Sequence, residues 1–526
     1  MKKLLFILLT AGLILGFSSC SHKDIPNNAL TLIPQPQEMK VGADHFKLTR
    51  RAAITLDTSN PQLMGIARYF NNKVTSATGF EIPVEKHGNI EFKLTDDTAL
   101  GTEGYRLQVK HGDIIITAHQ PAGIFYGVQT LLQMLPPEIK SSREQKGIDW
   151  TIPCADITDK PQFAWRGLML DVSRHWFTKE EVKKYIDELA EYKMNVFHWH
   201  LTDDQGWRLE IKSLPRLTEV GAWRAPRVGQ WWQREPQQPG EETTYGGFYT
   251  QEEIKEMVAY AAERQIEVVP EIDMPAHSNS ALAAYPHLAC PVVKEYIGVL
   301  PGLGGRNSEI IYCAGNDSVY AFLQDVMDEI LELFPSRYIH IGGDEARKTY
   351  WEKCPLCQAR MKKEHLTHEE DLQGYFMKRM CEYVQSKGRE VIGWDELTNS
   401  TIPDGTIILG WQGMGTAALK AAELGHPFIM TPARIMYLIR YQGPQWFEPV
   451  TYFGNNTLRN VFDYEPVQED WKPEYTSLLM GVQGSMWTEF CNKPEDVDYL
   501  LFPRLAAVAE RAWTKPELKD WNGFLK

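Results

Sequence analysis

Apolar residues recur in the second two-thirds of the chain as short runs, each followed by an amphipathic stretch or a long loop. The helical period of apolar positions predicts helices over 179–192, 251–264, 319–333 and 372–385. Alternation of such runs with helices predicts an α/β fold, a (β/α)8 TIM barrel. Its eight predicted strands are residues 167–172, 195–201, 266–272, 338–341, 390–394, 406–411, 427–430 and 481–487.

The first part of the chain has a different pattern. Alternating or apolar runs separated by turn residues predict strands between residues 92 and 117, with helices over 66–77 and 123–135. We therefore predict a small α+β domain over residues 21–150, followed by the barrel as the catalytic domain over residues 151–526.

The first twenty residues resemble a bacterial lipoprotein signal peptide. Lys2 and Lys3 precede an apolar stretch that is short for a bilayer span, and small residues stand directly before Cys20. This pattern predicts export and a lipid anchor on Cys20, in the bacterial outer membrane, with the membrane face left open. The alternative is an ordinary secretory signal in which the cysteine is incidental.

Charge and aromatic content narrow the class of partner. The chain has 55 Lys and Arg against 69 Asp and Glu, a net charge of −14, which argues against a nucleic-acid binder. Many of its 16 tryptophans stand beside polar residues, where an indole can pack on the C–H face of a sugar. Nothing in the sequence indicates the oligomeric state.

Cysteine spacing gives a weak signal. Seven cysteines follow Cys20, and only Cys354 and Cys357 are closely spaced. A four-ligand zinc site would normally show a second pair or nearby histidines, so a local disulfide or buried thiols are favoured over a metal. We predict no metal and no cofactor, and leave the state of this pair open.

Polar and aromatic residues follow almost every predicted strand, which is where barrel enzymes place their chemistry. The residues at these strand ends are Asp171, Arg174, His175, His198, His200, Asp203, Asp204, Trp207, Glu271, Asp273, His277, Asp344, Glu345, Trp394, Asp395, Glu396, Trp411, Tyr437, Trp487 and Glu489. We interpret His198 and His200 as polar core residues rather than metal ligands.

The fourth strand leads into two adjacent carboxylates, Asp344 and Glu345. Consecutive strand residues point to opposite faces, so both reach one pocket only if Gly342 and Gly343 have already ended the strand. Two close carboxylates raise the pKa of one of them, which keeps an acid protonated near neutral pH. The alternative, an ion pair capping a helix, does not explain the other strand ends.

Several runs together resemble family 20 of the glycoside hydrolases, the β-N-acetylhexosaminidases. They are, in chain order, RGLMLDVSRHW, NVFHWHLTDDQGWR, VVPEIDMPAH, IHIGGDE, IGWDE, WQG and MWTE, and IPQPQEM and FYGVQTLLQML resemble the family's N-terminal domain. The resemblance implies an exo-acting retaining hydrolase in which the substrate's 2-acetamido oxygen attacks the anomeric carbon. Glu345 would be the general acid/base and Asp344 the acetamide partner.

The same resemblance implies roles for other residues. Tyr437 would bind the acetamide oxygen, and Arg174 and Glu489 would bind the hydroxyls at C3 and C4. Asp203 and His277 would orient Glu345, although a buried Asp–His pair can be purely structural. The tryptophans that would wall the N-acetyl pocket, for which core packing is the alternative, are Trp394, Trp411 and Trp487.

One position departs from the family pattern. Many members carry Asp or Asn two residues after the tyrosine, on the C6 side of the sugar, where this chain has Ile439 followed by Arg440. A lost carboxylate and an added guanidinium suit an anionic group, so we predict tolerance of 6-sulfated N-acetylglucosamine. The alternative is that Ile439 packs and Arg440 points to solvent.

Two other functions stay open. One is a disaccharide-releasing member of the family, similar to a lacto-N-biosidase, and the other is a non-catalytic surface glycan-binding lipoprotein. In every case the partner is a glycan with a terminal β-linked N-acetylhexosamine. The sequence does not distinguish N-acetylglucosamine from N-acetylgalactosamine, nor does it give the linkage or the natural glycan.

Overall fold

The computed structural model describes residues 30–468 and 471–526. The predicted signal segment and Cys20 lie outside the described residues, so both stay predictions. Within the described ranges, no helix has the length and apolar character needed to cross a membrane.

The first domain is a six-stranded sheet covered by two helices, Pro61–Thr78 and Pro121–Gln133. Apolar residues alternate along its strands and pack against the helices, as in Ile114, Ile116 and Ala118. The predicted α+β class is therefore observed. In spatial order the strands are Glu38–Lys47, Thr151–Asp159, Tyr105–Val109, Ile114–Ala118, Ile90–Leu94 and Ile54–Thr55.

The predicted boundary after residue 150 falls too early. Strand Thr151–Asp159 pairs with Glu38–Lys47 on one side and with Tyr105–Val109 on the other, inside the first sheet. Pro153 had indicated a linker, but it lies beyond the end of the Tyr105–Val109 pairing and next to an irregularity in the other strand. A proline costs no ladder hydrogen bond at such a position.

Eight parallel strands close into a barrel. Each overlaps one of the eight predicted runs, and the first strand pairs with the eighth through residues 165–170 and 481–486. The predicted (β/α)8 fold is confirmed. In chain order the barrel strands are Trp165–Asp171, Val196–His200, Glu267–Glu271, Tyr338–His340, Glu390–Trp394, Ile407–Gly410, Phe428–Met430 and Leu479–Met486.

Helices pack around the barrel, and side-chain caps fix where two of them begin. Thr178 and Thr250 each form a capping box with the glutamate three residues later, which fixes where two of these helices begin. The longer helices are Lys179–Glu191, Gln251–Ala262, Asp317–Leu333, Pro355–Lys363, Glu369–Ser386, Thr416–Glu423, Pro494–Leu501 and Arg504–Trp513. Short helices are Arg216–Glu219, Asn279–Ala284, Leu458–Asp463, Pro473–Thr476 and Trp521–Phe524.

Buried polar contacts join the two domains. Asp159, at the end of the first sheet, accepts hydrogen bonds from Lys193 Nζ at 3.1 Å and from Trp513 Nε1 at 3.0 Å. Glu103 also forms a two-point ion pair with the buried guanidinium of Arg166, at 2.7 and 2.9 Å. Because a buried charge is costly without its partner, these contacts hold the sheet domain and the barrel together as one packed unit.

Candidate active site

The backbone turns sharply where the fourth barrel strand ends. Gly342 and Gly343 have φ angles of 68° and 108°, which L side chains rarely adopt. A Cβ atom on Gly342 would lie 1.7 Å from Oδ1 of Asp273, so a side chain does not fit there. Asp344 and Glu345 follow this turn instead of alternating along a strand.

Both carboxylates face the same imidazole. His277 Nε2 lies 3.5 Å from Asp344 Oδ2 and 3.6 Å from Glu345 Oε2. Asp344 is buried, whereas 60% of the Glu345 side chain is exposed. His277, which follows the third barrel strand, and Glu345 both have positive φ angles, 51° and 47°. The site therefore contains one sheltered and one accessible carboxylate.

Asp203 connects this pair to the barrel interior. It accepts a hydrogen bond from His277 Nδ1 at 3.1 Å and lies 3.0 Å from His200 Nε2. Arg174 Nη2 lies 2.7 Å from Oδ2 of Asp203, the same oxygen that faces His200. The structure thus brings together Asp203, His277 and Glu345, which the family resemblance had placed in one relay.

The relay ends in the barrel centre at Glu271. Its carboxylate lies 2.6 Å from His200 Nδ1, 2.9 Å from His198 Nε2 and 3.0 Å from His340 Nδ1. Trp394 Nε1 donates a further hydrogen bond to it at 2.8 Å. In the sequence, Glu271 stands out only as a strand-end residue, and nothing there indicates its role. His198 and His200 are polar core residues, as we had interpreted them.

Burial and neighbouring charges decide which histidines are protonated. Burial opposes charge on His200, but Glu271 and Asp203 outweigh it and raise its pKa to about 10. Burial lowers the pKa of His198 to about 4, so this imidazole is neutral. For His277, burial again opposes the charge, and the carboxylates of Asp203 and Asp344 raise its pKa well above the ordinary value.

The two catalytic candidates are shifted in opposite directions. Burial, and then the nearby Asp273, raise the pKa of Asp344 well above its ordinary value. The contact with protonated His277 lowers the pKa of Glu345. One raised pKa in a carboxylate pair was predicted, but the raised pKa belongs to Asp344 rather than to Glu345, the proposed acid.

Aromatic rings line one side of the site. Trp411 and Tyr437 are stacked, with ring centroids 6.0 Å apart and planes 11° apart. Trp487 lies 5.8 Å from Tyr437 and 6.0 Å from Trp394. Burial and the charges of Asp344 and its neighbours raise the pKa of Tyr437 well above 10. Trp394 is only 1% exposed, so its ring packs behind the other rings, away from solvent.

Arg174 and Glu489 lie together beyond Trp487. The Arg174 guanidinium lies 4.8 Å from the centroid of the Trp487 ring and donates to Asp171 at 3.3 Å. Burial raises the pKa of Glu489 to about 7, against the attraction of Arg174. Both residues thus lie beside Trp487, and their predicted contacts with the C3 and C4 hydroxyls stay predictions.

The predicted C6-side residues lie in different environments. Ile439 is 1% exposed within the hydrophobic core, which leaves almost none of it accessible to a ligand. Arg440 is half-buried and donates to the carbonyl oxygens of Ala433 at 2.7 Å and Phe453 at 2.6 Å. Among the described residues it forms no ion pair with a carboxylate, so its charge stays uncompensated.

Sequence analysis gave no role to the acidic pair after the fifth strand. Glu396 accepts a hydrogen bond from Trp411 Nε1 at 2.9 Å, and Asp395 accepts one from the Trp411 backbone N–H at 2.9 Å. Burial, and then Glu396, raise the pKa of Asp395 to about 8. Their position directly after a barrel strand was the available signal, and their hydrogen bonds hold the ring and the backbone of Trp411.

Several buried polar atoms at the site have no partner within the described structure. They are Asp344 Oδ1, Asp395 Oδ1, Trp487 Nε1 and Glu489 Oε2. Buried polar groups normally find hydrogen bonds, so unpaired ones that converge at strand ends indicate a polar ligand. The fold and the site together define the class of protein as a glycoside hydrolase. Its barrel carries two adjacent acids beside an aromatic wall.

Comparison with known proteins agrees with this class. Sequence models of the glycosyl hydrolase family 20 catalytic domain and of the family's domain 2 match residues 163–516 and 29–160. The chain therefore belongs to glycosyl hydrolase family 20. The second match ends at the close of the first sheet, where the structure places the boundary.

Named relatives are hexosaminidases. A beta-hexosaminidase of Porphyromonas gingivalis is 39% identical over 98% of this chain, which spans 65% of that relative's length. One from Vibrio furnissii is 36% identical over 91% of this chain and 76% of its own. The solved exo β-N-acetylglucosaminidase of Vibrio harveyi, in complex with N-acetylglucosamine, is 32% identical with a TM-score of 0.81, covering 96% of this chain and 77% of that one.

We expect Gly342→Ala to lower the free energy of unfolding by about 3 kcal/mol or more, because the new Cβ collides with Asp273 at a left-handed φ. Gly388→Ala is the matched control, since Gly388 has a φ of 80° and nothing within 4 Å of its Cβ position. It should cost only about 1 kcal/mol. Chemical denaturation measures both, and equal losses would contradict the collision.

We expect protonated His200 to stabilise the fold in a pH-dependent way. Its folded pKa of about 10 exceeds the ordinary 6.5, so this contribution is full below pH 6.5 and is lost as pH rises through 10. The difference in free energy of unfolding between wild type and His200→Gln should therefore shrink over that range. A difference that does not change between pH 6.5 and pH 10 would contradict the assignment.

Proposed function

We propose that the protein is an exo-acting retaining β-N-acetylhexosaminidase that uses substrate-assisted catalysis. The observation that carries this proposal is the placement of Asp344 and Glu345 on one imidazole, with Asp344 buried beside Tyr437 and Glu345 accessible. Two adjacent carboxylates do not flank a glycosidic bond as an acid and a nucleophile do. The nucleophile would instead be the acetamido oxygen of the substrate.

In the proposed first step, Glu345 donates a proton to the leaving-group oxygen while the acetamido oxygen attacks the anomeric carbon. The bond to the leaving group breaks, and an oxazolinium-type ring forms on the substrate. Asp344 accepts the acetamide N–H through its free Oδ1 and offsets the developing positive charge. Glu345 then takes a proton from water, which opens the ring with net retention.

Substrate binding would reverse the directions of both carboxylate pKa shifts. A sugar seated over Glu345 excludes water from an exposed carboxyl, which raises its pKa toward that of an acid. An acetamide N–H donated to Asp344 favours the ionised form of that carboxylate. His277, which Asp203 holds protonated, can keep its positive charge beside whichever of the two carboxylates is ionised. The site would thus become catalytically poised only with an N-acetylated sugar in place.

The aromatic wall supplies the preference for an N-acetyl group. The Trp411 and Tyr437 rings, 6.0 Å apart, and the Trp487 ring, 5.8 Å from Tyr437, form an apolar surface on which the acetamide methyl group would pack. A plain hydroxyl at C2 would lose its water there without gaining a partner. That the Vibrio harveyi neighbour was solved with N-acetylglucosamine supports the same ligand class.

We expect Glu345→Gln to lower kcat by about 100-fold or more with a poor leaving group, since it removes the proton donor. Asp344→Asn should lower it by at least about 100-fold with any leaving group. Turnover of chromogenic N-acetylglucosaminides and N-acetylgalactosaminides measures both variants, and circular dichroism checks the fold. The exposed control Asp404→Asn should match wild type. Tight glycan binding without turnover by the wild type would instead support the glycan-binding alternative, and an undiminished Asp344→Asn rate would exclude substrate assistance.

We further propose that the site tolerates a 6-sulfate. The half-buried Arg440 guanidinium keeps donors beyond its two carbonyl bonds and has no carboxylate partner among the described residues. It lies 5.4 Å from the centroid of the Tyr452 ring. An anionic substituent on the sugar would supply the missing counter-charge.

Wild type should cleave an aryl 6-sulfo-N-acetylglucosaminide within about tenfold of the unsulfated rate. Arg440→Gln should lower only the sulfated rate, by about tenfold, because it removes the counter-charge and keeps a donor for the loop. The control is Arg434→Gln, an exposed arginine nearby. A strong loss on the sulfated substrate in wild type, or equal losses on both substrates in Arg440→Gln, would overturn the proposal.

We also propose that the chain is exported and anchored through lipid on Cys20. The support is the basic, apolar and small-residue pattern of residues 1–20. In a bacterial host, wild type should incorporate labelled palmitate and sediment with the outer membrane, while Cys20→Ala should not. Cys154→Ala is the control, and equal labelling of wild type and Cys20→Ala would refute the anchor.

A further inference from the structure

Four buried cysteines converge at one point beside the barrel. Cys290 and Cys313 come from the long segment after the third barrel strand, and Cys354 and Cys357 from the segment after the fourth. The Sγ atom of Cys313 lies 3.6 Å from that of Cys354 and 3.7 Å from that of Cys357. The Sγ atoms of Cys290 and Cys357 are 3.8 Å apart. All four sulfur atoms lie within 4.8 Å of one another.

These separations discriminate between two kinds of cysteine chemistry. A disulfide bond is about 2.05 Å long, so none of the measured pairs is bonded. Zinc bound to four thiolates has metal–sulfur distances of about 2.3 Å in tetrahedral geometry, which places the sulfur atoms about 3.8 Å apart. The three separations of 3.6, 3.7 and 3.8 Å match edges of that tetrahedron, and the remaining sulfur pairs lie within 4.8 Å.

The backbone is shaped to bring the thiols together. Cys354 caps the helix Pro355–Lys363, and Cys357 lies in its first turn. A Cβ atom on Gly315 would lie 2.2 Å from the Leu356 carbonyl carbon, so only glycine permits this close approach of the two segments. The Cys313 N–H also donates to the Leu288 carbonyl at 2.9 Å, which fixes the segment that carries Cys290.

We propose that Cys290, Cys313, Cys354 and Cys357 bind one zinc ion in a closed structural site. Four thiolates fill a tetrahedral zinc and leave no position for water or substrate, so the ion would have no part in the hydrolysis. Its charge would also compensate the thiolates in their buried setting. The prediction of no metal rested on an isolated CxxC pair, and the fold supplies the second pair from residues 23 positions apart in sequence.

The position of this site gives it a structural consequence. The segment with Cys290 and Cys313 also carries His277, and the segment with Cys354 and Cys357 begins with the two adjacent acids. Near the cluster, Trp351 Nε1 donates to the Tyr312 carbonyl at 2.9 Å across the same two segments. The zinc would therefore hold together the two loops whose side chains meet at the active site. The proposal does not depend on the proposed hydrolysis.

The test is metal analysis of the full chain purified without chelator. Plasma mass spectrometry should find one zinc per chain, and a cysteine-modifying reagent should release one equivalent from folded wild type. Cys313→Ser and Cys354→Ser should lose the zinc, whereas Cys381→Ser and Cys491→Ser, buried thiols outside the cluster, should keep it. Replacement by cobalt should give the visible absorption of a tetrahedral thiolate site.

Readouts on wild type keep the test decisive where a variant does not fold. A denatured mass lower by two hydrogens for each cysteine pair would show disulfides and overturn the proposal. Four free thiols without metal, after growth and purification with zinc, would also overturn it, and so would stoichiometric iron. Removal of zinc should lower the Tm, and zinc addition should restore it.

Discussion

The hydrogen bond between Asp203 and His277 is the interaction on which the site depends. It continues the buried chain from Glu271 through His200 and delivers a protonated imidazole to Asp344 and Glu345. Carboxylates alternate with imidazoles along this chain, so each buried charge has an opposite charge beside it. Without Asp203, His277 would lose a partner that raises its pKa, and Glu345 would lose the protonated imidazole that lowers its own pKa.

These side-chain contacts require backbone φ angles that are unusual for residues other than glycine. His277 and Glu345 adopt left-handed φ angles, and each such residue costs about 1–3 kcal/mol. The glycines at 342 and 343 allow the chain to turn against Asp273, and the Gly343 N–H lies 3.3 Å from its Oδ1. Strain is concentrated where the fourth strand meets the third, and a rigid barrel packed on the first domain carries it.

Sequence patterns were sufficient for the barrel because each strand is an apolar run buried on both faces. They also predicted that candidate residues such as Asp203, His277 and Glu345 lie close together, since strand ends converge in this fold whatever the loop lengths are. They were not sufficient where long-range pairing decides the outcome. Thr151–Asp159 is a sheet strand because of partners far away in sequence, and Pro153 obscured it.

Other features needed three-dimensional neighbours. Glu271 became central only when its neighbouring strands placed three histidines around it. Cys290 and Cys313 have no recognisable spacing to Cys354, and only the fold joins them. The direction of the two carboxylate pKa shifts depends on burial and on His277, which adjacency in sequence does not reveal.

The proposed nucleophile is the acetamido oxygen of the substrate itself. The most direct test is kcat/KM for a series of aryl glycosides whose N-acetyl methyl group carries successively more fluorine atoms. Fluorine withdraws electrons from the carbonyl oxygen, so we expect a steep and progressive fall in kcat/KM along the series. A rate independent of fluorination, or equal turnover of the matching 2-hydroxyl glycoside, would contradict it.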